Sequence, residues 1–76
     1  MMISEHDLVV LNRDLSDRGL VAGDVGVVVH VYDGGKSYEV EFMRYDGTTM
    51  GIATLRDGDI RVAGVRDVPH VRQLAA

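Results

Sequence analysis

Val25-Gly26-Val27-Val28-Val29-His30-Val31-Tyr32, then Asp33-Gly34-Gly35, then Ser37-Tyr38-Glu39-Val40-Glu41-Phe42, reads as a β-hairpin. Valine and tyrosine favour the pleated surface and lose side-chain freedom in a helix. Apolar residues occupy both faces of 25–32, so this strand is expected to be central, and its pattern leaves the inward side open. Gly26 inside it signals a bulge or a close backbone approach. Asp33-Gly34-Gly35 supplies residues that reach the positive φ of a tight turn. The segment 37–42 alternates cleanly, which predicts Tyr38, Val40 and Phe42 in the core and Glu39 and Glu41 in water.

On either side the same punctuation continues. Asp7-Leu8-Val9-Val10-Leu11 is a short strand, followed by a long loop, Asn12 to Gly23, whose leucines Leu15 and Leu20 fold back over one end of the core. Asp46-Gly47 marks a turn, residues 49–55 a further strand, and Arg56-Asp57-Gly58-Asp59 a tight or 3₁₀ turn before Ile60-Arg61-Val62. Five short antiparallel strands with one long first loop predict an all-β domain, a small closed or nearly closed barrel, over residues 1–64. Residues 65–76 form a C-terminal extension. Asp67 and Pro69 would suit the start of a short helix, while an extended tail along a domain edge fits equally well.

Seventy-six residues make one domain, and without cysteine neither a disulfide nor a thiolate metal site can stabilise it. The longest apolar run, Val25 to Val31, is far shorter than a membrane span, and residues 1–7 lack the pattern of a secretory signal. These features predict a cytoplasmic protein with no membrane association. The net charge of −4 is unevenly placed. Residues 1–55 hold nine acids against four bases, whereas Arg56, Arg61, Arg66 and Arg72 outnumber the acids of residues 56–76. An acidic body repels phosphate backbones, which argues against a nucleic-acid partner.

Chemistry-bearing residues are sparse. His6, His30 and His70 are separated by intervals that match no metal-ligand motif, so no metal or other cofactor is expected. The serines and threonines sit in no nucleophile signature, and Glu39 and Glu41 read as a solvated outer face. No catalytic residue is identified, and an enzyme is not expected. Gly23-Asp24-Val25-Gly26 has the glycine spacing of a phosphate loop, but a strand follows it and the lysine is missing. The same four residues also resemble the KOW-type turn of small RNA-associated barrels, which would need a basic, aromatic face.

The stretch Leu20 to Tyr32 followed by Tyr38-Glu39-Val40-Glu41-Phe42 resembles the short bacterial proteins grouped as DUF4926, and Arg66 to Leu74 is similar to the ending of some members. The resemblance implies an SH3-like barrel. It also implies a likeness to small barrels attached to larger assemblies, such as accessory subunits of photosystem I and the β subunit of nitrile hydratase, and a two-gene, toxin–antitoxin-like arrangement. It brings no catalytic residues.

The function expected is a non-catalytic protein-binding module, the antitoxin-like or inhibitory half of a two-gene system. An accessory subunit of a larger enzyme and a KOW-like nucleic-acid-binding barrel are the alternatives, and self-association is open. Candidate partner-binding residues are Arg13 and Arg18 in the long loop and Arg66, Val68, Val71, Arg72 and Leu74 in the tail. The tail serves as the anchor in this reading, so truncation after Ala63 would abolish binding and leave the domain folded.

Overall fold

A computed structural model describes residues 2–74 of the chain. It contains the strands β1 (Leu8–Leu11), β2 (Val25–Tyr32), β3 (Ser37–Met43), β4 (Thr49–Arg56) and β5 (Ile60–Val62), with 3₁₀ turns at Ser16–Arg18 and Asp57–Asp59. The domain is all-β, as expected. All five strands form one antiparallel sheet in the order β4-β3-β2-β1-β5. No β4–β5 ladder closes it, so the sheet is open in its hydrogen bonding.

The sheet nevertheless curls. Its two edge strands are joined by the 3₁₀ turn alone. Four residue steps from Arg56 to Ile60 span at most ~14 Å, whereas four strand spacings across a flat sheet amount to ~19 Å. The curled sheet wraps one cluster of buried side chains that includes Val9, Leu11, Val28, Tyr38, Val40, Phe42, Ala53, Leu55 and Ile60. Leu15 and Leu20, bridged to each other, cap one end of it, and Ile3 joins from the N-terminal segment.

Tyr38, Val40 and Phe42 are buried as their alternation predicts. Glu39 and Glu41 lie on the other face, where Glu39 accepts hydrogen bonds from Tyr32 and Thr54 and Glu41 accepts one from Thr49. The inward side of β2 changes along its length because of a bulge. Val28 pairs with Val40 and His30 with Glu39, so β2 takes two steps where β3 takes one. Before this irregularity Gly26 and Val28 face inward; beyond it Val31 packs on the core. The bulge falls near Val29, which is exposed, and not at Gly26.

Gly26 is instead the close backbone approach. A Cβ there would sit 2.6 Å from Val40 Cγ1 and 2.9 Å from the Glu41 carbonyl. The tail forms no helix: residues 63–74 carry neither helix nor strand and make one turn at Val65–Arg66. Met1, Ala75 and Ala76, which the expected boundaries include, lie outside the described residues. Among the described residues no helix is long and apolar enough to cross a membrane.

Candidate functional site

The turn Val21–Asp24 is built from three kinds of contact. Asp24 N–H donates to the Val21 carbonyl (3.1 Å), and Val21 N–H donates to Asp24 Oδ2 (2.9 Å). Gly23 N–H donates to the Leu11 carbonyl, and Leu11 N–H to the Asp24 carbonyl, which ties the turn to β1. Gly23 has φ +96°, a region that side chains with a Cβ rarely adopt. With the tail docked, Asp24 at 8% exposure is the one buried charged residue among those described.

A buried carboxylate needs donors, and the tail supplies them. Arg72 Nε donates to Asp24 Oδ1 at 2.8 Å and Arg72 Nη2 to Oδ2 at 2.7 Å. Nη2 also donates to the Gly19 carbonyl at 2.8 Å. His70 Nε2 donates to Asp24 Oδ1 at 3.1 Å, a role fixed by the acceptor-only character of an ionised carboxylate. Burial pushes the Asp24 carboxyl upward, but Arg72, the Val21 N–H and His70 together outweigh it and hold the group below the ordinary carboxylate range.

A second clasp lies at the start of the tail. Arg61 donates two hydrogen bonds to Asp67, each 2.8 Å, and Gly64 N–H donates to Asp67 Oδ2 at 2.6 Å. These donors, the guanidinium first, bring the Asp67 carboxyl down to about 2. Between the clasps the apolar side chains of the tail turn outward: Val65 is 105% exposed, Val68 87% and Val71 78%. Charge, not apolar burial, holds the tail in place.

The docked tail forms one wall of an open groove of about 680 Å³, and its other walls include Leu8, Val25, Phe42, Met43, Tyr45 and Met50. Leu8, Val25 and Met43 are exposed, and Tyr45 is 97% exposed. Of the expected binding residues, Val71, Arg72 and Leu74 line this groove. Val68 and Arg66 stand exposed on the tail, and Arg66 makes no hydrogen bond or ion pair among the described residues.

Arg13 and Arg18 lie outside the groove lining. Arg13 Nε donates to Asp59 Oδ1 at 2.7 Å, and Arg18 Nη1 donates to the Ile52 carbonyl at 2.9 Å. Both therefore pin the long loop to the domain. Asp24 is the residue that sequence reasoning missed. Its signal was present, because an acid between two glycines ahead of a core strand sits where a turn can bury it, but its partners are 46 and 48 residues away.

A family model described as a domain of unknown function, DUF4926, matches residues 5–62. The chain belongs to this family. The match spans the five strands and ends at Val62, so both tail clasps bind a segment beyond it to residues within it, Asp24 and Arg61. No curated protein matches the chain, and no solved structure does.

Proposed function

We propose that the protein is a non-catalytic protein-binding module acting in the cytoplasm, with the groove beside the tail as its contact surface. The observation that carries this reading is the apolar lining of the groove, where Leu8, Val25, Met43 and Tyr45 are exposed together on a small acidic domain. Contiguous exposed apolar surface of this kind is costly in water and is typical of interaction sites. Val71 and Leu74 of the tail line it too and extend the apolar surface. Its net charge of −4 suits a basic partner and would speed association in a salt-dependent way.

The mode of action is occlusion. The module covers a basic site on its partner, with the tail as anchor, as the inhibitory, antitoxin-like half of a two-gene pair would. The test is to purify the tagged full-length protein from its native cells at moderate salt and identify what co-elutes. A single small protein in near-equal amount supports the proposal, and a large enzyme would make the module an accessory subunit. Recovery alone or with RNA only would sink it in favour of self-association or nucleic-acid binding.

A further inference from the structure

The Asp24 notch is a built guanidinium site, and its occupant comes from outside the segment that the family model matches. The carboxylate meets Arg72 with two parallel hydrogen bonds, and the Gly19 carbonyl accepts a third from the same group. Planar, two-point recognition is what distinguishes arginine from lysine as a carboxylate ligand. The rest of the tail adds little that would make this occupancy permanent. Its valines face solvent, and its other clasp, Arg61 with Asp67, is at the surface.

We propose that the notch formed by Asp24 and the Gly19 carbonyl is an arginine-recognition site whose resident ligand is the chain's own Arg72, and that a partner protein exchanges with it by presenting an arginine on an irregular segment. The inference deepens the protein-binding reading and names the chemistry of the partner. Three observations select this occupant. The notch is anionic within an acidic domain, so it favours a cation. The segment seated there now has neither helix nor strand, which shows that the groove accepts an irregular segment of chain. The notch also opens onto the apolar groove, since Asp24, His70 and Arg72 line it together with Val25 and Met50. In the exchange the released tail carries Val65, Val68 and Val71, already exposed, onto the partner, so one segment serves as latch and as anchor.

The site can be tested without the partner. The probe is a fluorescein-labelled peptide of the sequence Gly64 to Leu74, titrated into full-length protein and into its Arg72→Ala variant, with binding read by anisotropy. In the wild-type chain the notch is occupied and the peptide competes poorly. The Arg72→Ala chain is expected to bind the peptide at least ~10-fold more tightly, since each factor of ten is a modest change in occupancy free energy. Adding Asp24→Asn to that variant should remove the gain, and a peptide with lysine in place of Arg72 should bind more weakly than the arginine peptide.

Equal peptide affinity for the wild-type and Arg72→Ala chains would overturn the proposal, as would undiminished binding of a peptide with alanine in place of Arg72. Unfolding of the Arg72→Ala chain, seen in its circular dichroism, would also overturn it, because the tail would then be structural cover. A wild-type dimer that becomes monomeric on Arg72→Ala would replace the partner by a second copy of the chain. None of these results depends on capturing the cellular partner, so this inference and the broader reading fail separately.

Discussion

Arg72 and Asp24, 48 residues apart, meet through two parallel hydrogen bonds of 2.8 and 2.7 Å, and this pair fixes the tail against the first glycine-rich turn. The pair is partly shielded, with side-chain exposures of 30% for Arg72 and 11% for Asp24. Truncating one partner leaves the other charge without its main counter-ion.

Arg72→Ala should lower stability, by more than loss of an exposed ion pair does and by less than loss of a deeply buried one. Urea unfolding measures it. Hydrogen exchange should show the largest loss of protection in the tail and at Val21–Asp24, exceeding any loss in β2 and β3. Uniform loss of protection across the sheet would contradict a local latch.

The clasps also predict an acid response. Asp24 and Asp67 are both held below their ordinary range, Asp67 to about 2. A depressed carboxylate contributes stability that is present above its unfolded value, near 3.9, and is lost as pH falls through the folded one. Tail docking should therefore weaken as pH drops from about 4 toward 2. NMR shifts of the Gly64 and Val71 amides report it directly; shifts that stay constant down to pH 2 would contradict it.

Two glycines should respond in opposite ways to alanine. At Gly26 the added Cβ meets Val40 Cγ1, the Glu41 carbonyl and, at 3.0 Å, Phe42 Cδ1. These atoms belong to the paired strand β3, which cannot retreat without disturbing its ladders to both neighbours. Gly26→Ala should cost roughly 2 kcal/mol or more by overpacking. At Gly51 nothing lies within 4 Å, so Gly51→Ala should be neutral or slightly stabilising. Equal melting temperatures for the two variants would refute the argument.

Arg18 should guard the edge of the sheet. β4 is an edge strand, and Arg18 Nη1 donates to the outer carbonyl of Ile52 at 2.9 Å. An unblocked edge invites pairing with another chain. Arg18→Ala should leave stability within about 0.5 kcal/mol, as surface changes usually do, yet promote concentration-dependent association in sedimentation velocity. A variant that stays monomeric at high concentration would count against the role.

The all-β class, the strands and the loop leucines were legible because alternation, turn glycines and β-branched runs are local signals. The inward side of β2 was not, because a bulge near Val29 shifts its parity, and a bulge depends on the register with β3. The tail was ambiguous for a similar reason. Asp67 and Pro69 suit a helix start locally, but Asp67 is taken by Arg61 and Arg72 by Asp24, contacts that only the fold brings together. Arg72 was picked out as a contact residue, while its acceptor read only as part of a turn motif.

The most direct test of the protein-binding account is calorimetric titration of the co-purified partner into the Arg72→Ala chain and into a chain ending at Ala63, both of which leave the Asp24 notch free of Arg72. Every residue of the buried cluster, Ile3 to Ile60, is retained in the shorter chain, and a single cooperative melting transition will confirm its fold. The account predicts that truncation weakens binding by at least ~10-fold through loss of the anchor. Equal affinity for the two chains would contradict it.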